Sequence, residues 1–132
     1  MRAVTFPYLT YKGAPCPIIT VSIRGPQGWL QVLAYVDSGA SYSIFSVKVA
    51  EEMGLRYEHG HAVYVTVGDG SGIPVYLHHL PLRLGLHHLR ATIGFSPRLG
   101  VGFNLLGRRD IFTSFDVTFS DSRKRLTFKP LR

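Results

Sequence analysis

Val32-Leu33-Ala34-Tyr35-Val36 is a strongly apolar run, and it leads straight into Asp37, followed by Ser38, Gly39, Ala40 and Ser41. An aspartate at the end of a buried strand is unusual, because burying a lone carboxylate is costly. Sites of this kind either raise a carboxyl's pKa or make it share a proton with a second carboxyl. Ser38 offers a hydroxyl partner, and Gly39 lets another backbone come close. Such a group can do acid–base work on a water molecule. Asp-Ser-Gly is equally ordinary turn chemistry, so the tripeptide alone leaves both readings open. Asp69, Asp110, Asp116 and Asp121 lack the apolar lead-in and the small residues that follow.

Strand signals dominate the elements that must hold Asp37. Ile18 to Arg24 and Trp29 to Val36 read as strands joined by the turn Gly25-Pro26-Gln27-Gly28. Ser46 can cap a short helix from Val47 to Met53, ended by Gly54. Ala62 to Val67 and Ile73 to Leu80 flank the tip Gly68-Asp69-Gly70-Ser71-Gly72, whose three glycines make a low-cost hinge or an ordinary hairpin turn. Leu82, Leu84 and Leu86 alternate with polar or small residues, and Leu89, Ala91, Ile93 and Phe95 show the same period of two. Arg108 to Thr113 reads as a second short helix, and Phe115 to Phe119 with Leu126 to Phe128 as a last hairpin. There is one internal echo. An apolar pair leads into Asp37-Ser38-Gly39, and another, Leu105-Leu106, leads into Gly107, each before a predicted helix.

Length and composition bound the rest. The 132 residues suit a single domain over 1–132, and 45% apolar against 17% charged residues is a folding composition. The formal charge of +7 would attract nucleic acid, yet the basic residues are scattered apart from Arg123-Lys124-Arg125, and no nucleic-acid signature accompanies them. Six histidines invite a metal reading. His78 and His79 are adjacent on a strand and point to opposite faces, His87 and His88 sit in a predicted turn, and no Cys-x-x-Cys or His-Glu-x-x-His is present, so neither metal nor cofactor is expected. Cys16 lies between two prolines with no evident base and reads as an inert thiol. One cysteine, no signal-peptide stretch and no membrane-length apolar run make a cytoplasmic protein the expectation.

The order of motifs is more specific than any one of them. Val36-Asp37-Ser38-Gly39-Ala40-Ser41, then a short helix, then a Gly-rich hairpin, then Asn104-Leu105-Leu106-Gly107-Arg108, resembles the retropepsin-like aspartic proteases, single-domain relatives of pepsin. The resemblance covers roughly Ile18 to Phe128 and implies an all-β, closed-barrel acid-protease fold with one or two short helices and a flap hairpin. It implies Asp37 as the catalytic aspartate and Ser38 as the hydroxyl that braces two active-site loops across a dimer axis. Gly39 matches the glycine whose carbonyl contacts substrate, and Ala40 completes the loop. Leu105, Leu106 and Gly107 match the segment packed beneath that loop, with Arg108 following, and Gly68, Asp69, Gly70, Ser71 and Gly72 match the flap tip by order. Two departures stand out. Ser41 holds the place where retroviral members often carry an acid that pairs with the later arginine, so Arg108 needs another partner. The motif Gly107-Arg108-Arg109-Asp110 is also one residue longer than Gly-Arg-Asp.

This chemistry needs two carboxyl groups about one hydrogen bond apart, sharing a proton. One chain carries one suitable aspartate, so a second copy related by a two-fold axis would supply the other. The expectation is a homodimeric endopeptidase acting on peptide or protein, with terminal strands near Val4 to Tyr8 and Leu126 to Phe128 extending the subunit contact. The alternative is a non-catalytic dimerisation or peptide-binding module of the same fold; a third reading, a basic β-barrel that binds nucleic acid, would show a salt-sensitive oligonucleotide shift.

Overall fold

The computed structural model describes residues 2–99 and 103–131. Twelve strands and one short helix are described: β1 (Val4–Pro7), β2 (Leu9–Tyr11), β3 (Ala14–Cys16), β4 (Ile18–Gly25), β5 (Gly28–Val36), β6 (Ser43–Ser46), α1 (Val47–Glu52), β7 (His61–Thr66), β8 (Gly72–Leu84), β9 (His87–Ser96), β10 (Asn104–Leu106), β11 (Phe115–Ser120) and β12 (Arg125–Pro130). A single 3-10 turn, Tyr57–His59, precedes β7. The class is all-β, as expected from the period-two patterning.

Seven strands form one sheet in the order β4-β5-β10-β6-β9-β8-β7, and an additional β4–β8 pairing closes six of them into a ring. The long β8 makes that closure possible. Its first half pairs with β7 as far as Leu77, and its second half meets β4 at Leu82 and Arg83. Pro81 falls in the gap between these two partners, where one edge of the strand is unpaired, which suits a residue without an N–H. Ile73 to Leu80 and the alternation that starts at Leu82, separate features in the sequence, are thus one continuous strand as far as Leu84. Leu86 also departs from expectation: it sits in the β8–β9 turn and is 91% exposed, while His87 and His88, expected in that turn, begin β9.

The core fills the ring. Val21, Ile23, Ala34, Val36, Phe45, Leu82, Ile93, Phe95 and Leu106 belong to one buried cluster, which continues to Leu126 and Phe128 of the second sheet. That second sheet has the order β1-β12-β11. Strand β12 thus has both edges paired within its own chain, Val4 opposite Phe128 on one side and Val117 opposite Phe128 on the other. The N-terminal and C-terminal strands, expected near a subunit contact, pair with each other in the single chain.

α1 begins at the expected cap: the Lys48 N–H donates to Ser46 Oγ at 3.2 Å. The second expected helix, Arg108 to Thr113, is a run of turns. One helical bond forms, from Phe112 N–H to Arg108 C=O at 2.9 Å, but Asp110 has φ of 66° and breaks the helical path. Its carboxylate accepts the N–H of buried Thr92 at 2.8 Å. That bond satisfies a backbone donor of β9 just before its pairing with β6 begins at Ile93.

Candidate active site

The loop carrying Asp37 is set by a parallel strand threaded beneath it. β10 lies between β5 and β6, with Leu105 opposite Tyr35 and Leu106 opposite Val36. The connection from β5 to β6, residues 37–42, must therefore pass over the end of β10. The two halves of the internal echo meet here, since Leu105-Leu106-Gly107 runs in register beside Tyr35-Val36-Asp37. The Asp37 N–H donates to the Leu106 carbonyl at 2.9 Å, and the Arg108 N–H donates to the Ala40 carbonyl at 2.9 Å. The Gly107 N–H donates to Ser43 Oγ, fully buried, at 3.0 Å.

This crossing explains Gly107. A Cβ at that position would stand 2.2 Å from the Tyr42 carbonyl oxygen and 2.9 Å from that of Ala40. Both obstacles are backbone, which cannot swing aside as a side-chain tip can. Only glycine lets the two chain segments approach this closely.

Asp37 is half-buried at the exit of β5, and its Oδ1 accepts the Gly39 N–H at 2.9 Å. The Ala40 N–H donates to the Asp37 carbonyl at 3.2 Å, which closes the turn. The side chain is thus held locally in a short loop of small residues. Ser38 is exposed at the apex, and among the described residues its hydroxyl has no hydrogen-bond partner.

Asp37 borders two clefts. The larger, about 710 Å³, is lined by Asp37, Gly39, Ala40 and Leu105 on one side and by Val67, Gly68 and Asp69 of the β7–β8 hairpin on the other. The tip expected as a flap therefore lines the same cleft as Asp37. The tip is built as a tight turn: Gly70 has φ of 86° and donates its N–H to the Val67 carbonyl at 2.8 Å. Asp69 Oδ1 accepts both the Ser71 N–H at 2.9 Å and the Ser71 hydroxyl at 2.6 Å. These bonds hold the Asp69 carboxyl below its ordinary pKa. Asp69 is thus a structural acid of the turn.

The second cleft, about 530 Å³, lies on the Ser38 side and is lined by Tyr8, Pro17, Tyr35, Ser38, Phe119 and Asp121. The Tyr8 hydroxyl donates to Asp121 Oδ1 at 2.8 Å. Burial and that bond raise the Tyr8 pKa to about 12.

Arg108 is exposed, and among the described residues its side chain makes no hydrogen bond; only its backbone takes part, at Ala40 and Phe112. The neighbouring Arg109 reaches Tyr42, with Nη1 3.4 Å from the hydroxyl and the guanidinium over the ring. The supporting role given to Arg108 is thus a backbone role. Two histidines meet backbone carbonyls: His78 Nε2 lies 2.8 Å from that of Tyr57 and His87 Nε2 lies 2.7 Å from that of Arg2.

Sequence reasoning gave no role to Asn104, though it stands in the later motif, or to Ser43. The Asn104 side chain accepts the Ser46 N–H at 2.9 Å and donates to the Leu33 carbonyl at 2.9 Å, tying β6 to β5 across the end of the short β10. An asparagine heading an apolar strand was the available signal, because a polar amide there needs partners.

A family model described as aspartyl protease matches residues 19–106. No curated protein matches the chain. Among solved structures, a retropepsin-like aspartic protease from Rickettsia conorii superposes with a TM-score of 0.65 at 14% identity, over 96% of this chain and 91% of that one. The EIAV protease complexed with the inhibitor HBY-793 superposes with a TM-score of 0.54 at 18% identity, over 76% of this chain and 88% of that one. At such identities the likeness is one of fold.

Proposed function

Since this chain belongs to the aspartyl protease family and is an aspartic-type peptidase, we propose that it acts as a homodimeric endopeptidase whose catalytic pair is Asp37 and Asp37 of a second copy. The observation that carries this reading is the setting of Asp37: it is fixed by the Gly39 N–H at the end of an apolar strand, and it lines the same cleft as the tip of the β7–β8 hairpin.

The chemistry follows from the pairing. Two carboxyl groups one hydrogen bond apart cannot both ionise easily, so they hold one proton between them. The ionised partner accepts a proton from water as that water attacks the peptide carbonyl. The protonated partner donates to the carbonyl oxygen. The exposed Ser38 hydroxyl beside Asp37 is free to meet its counterpart across the axis, where it would brace the two loops. The hairpin tip closes over the bound peptide, excluding water and adding backbone hydrogen bonds through Gly68 to Gly72.

Asp37→Asn tests the assignment. Asparagine keeps the shape and can still accept the Gly39 N–H, but it cannot carry the shared proton. Cleavage of a mixed peptide library should vanish while thermal unfolding stays that of the wild type. A purified variant that cleaves at the wild-type rate would remove Asp37 from the mechanism.

A further inference from the structure

The hairpin formed by β2 and β3 lies ahead of residues 19–106, the span shared with the family. Its turn is made by Lys12 and Gly13, both with positive φ, and it presents Tyr11 to the body of the protein. The Tyr11 ring meets Phe103 edge-on, with centroids 5.1 Å apart and planes at 79°. Phe103 in turn stacks on Tyr35, with centroids 5.0 Å apart and planes at 16°. Tyr35 and Phe103 both line the cleft that Asp37 shares with the hairpin tip, and Tyr35 stands two residues before Asp37.

The rest of that cleft has a different character. Beneath the tip its wall is mostly aliphatic, made by Ile44, Val65, Ile73 and Leu99, with Tyr42 and Arg98 also lining the cleft. The cleft therefore offers two chemically distinct surfaces, one beside Asp37 in the chain and one beneath the tip. An aliphatic wall takes any apolar side chain by area alone. A stacked aromatic pair discriminates, because a third ring gains offset or edge-to-face contact that an aliphatic chain cannot make.

We propose that the β2–β3 hairpin is a specificity element: Tyr11 holds Phe103 against Tyr35, and this aromatic wall selects peptides with an aromatic side chain next to the scissile bond. The inference rests on the reading of Asp37 as the catalyst. Tyr11 does not line the cleft and acts through Phe103, so it is a positioning residue. Phe103 and Tyr35 make the contact with substrate.

The test uses the intact protein and paired peptides that differ only by Phe or Leu beside the bond cut. The wild type should prefer the Phe peptide by about two- to tenfold in kcat/KM, the range an aromatic pair contributes beyond its area. Tyr11→Ala should bring the ratio close to one, and Tyr11→Phe should restore it. Phe103→Leu, which keeps apolar volume and removes the ring, should also abolish the preference. A purely structural role for the hairpin would lower both rates together and leave the ratio standing, which overturns the proposal. So does a wild type that cuts both peptides equally; that result spares the catalytic reading. Failure of the wild type to cut any peptide would bring down both.

Discussion

Gly107→Ala is the sharpest structural perturbation available, because it adds one methyl group at the point where two backbone segments cross. The new Cβ would lie 2.2 Å from the Tyr42 oxygen, 2.5 Å from the Tyr42 carbonyl carbon and 2.9 Å from the Ala40 oxygen. Relief requires the loop or β10 to retreat by about 1 Å, since contacts this short are strongly repulsive. Of the hydrogen bonds that span that gap, three are made by Leu106, Gly107 and Arg108 themselves: Asp37 N–H to Leu106, Arg108 N–H to Ala40, and Gly107 N–H to Ser43 Oγ. At about 1 kcal/mol each, their loss predicts destabilisation of about 3 kcal/mol. That corresponds to roughly 10 °C in thermal unfolding for a domain of this size. Because the displaced loop carries Asp37, a shift of about 1 Å should also lower kcat/KM by about 100-fold in the molecules that remain folded. Gly68→Ala is the control: a Cβ there meets nothing within 4 Å, so stability should stay within about 0.5 kcal/mol of the wild type. Calorimetry and a fluorogenic peptide assay read both quantities. If Gly107→Ala unfolds and cleaves like the wild type, β10 does not support the catalytic loop in the way described.

Two other perturbations separate the parts of the site. Gly70→Val places a β-branched residue at a φ of 86°, so peptide cleavage should fall at least tenfold while the unfolding temperature changes by no more than a few degrees; unchanged kinetics would reduce the hairpin tip to an ordinary turn. The Tyr8 pKa of about 12, raised from 10 by burial and then by the bond to Asp121, means the folded protein binds more protons than the unfolded chain between these values. Its contribution to stability is therefore complete below pH 10 and is lost as pH rises towards 12. Tyr8→Phe should flatten that part of the stability profile in urea titrations, and identical slopes for the two proteins would show that the phenol is not linked to folding.

The parts legible in the sequence are those that short-range pattern controls. β4 and β5, eight and nine residues rich in apolar and β-branched side chains, are bounded by Gly-Pro and Asp-Ser-Gly. Ser46 caps α1 through its own hydroxyl, and the pair of motifs around Asp37 and Gly107 carried the family. What escaped depends on tertiary placement. β6 is only four residues, Ser-Ile-Phe-Ser, and is a strand because β10 and β9 flank it. β2 and β3 were obscured by Pro15, although Lys12-Gly13 was a usable turn signal. The helix expected at Arg108 fails because Asp110 is drawn to Thr92, eighteen residues away in the chain and invisible to periodicity. Pairing of β12 on both edges likewise follows from the whole topology, which no local pattern in the sequence announces.

The half-site arrangement of Asp37 can be tested by mixing. Wild type and Asp37→Asn are combined in equal amounts, subunit exchange is verified by mass or fluorescence, and peptide cleavage is measured. If both aspartates of a dimer are needed, about a quarter of the dimers keep the pair after random exchange, and activity should fall to about a quarter of that of the same total concentration of wild type. Activity that falls only to half, in proportion to the wild-type content, would mean that each subunit works alone and that no Asp37 pair forms.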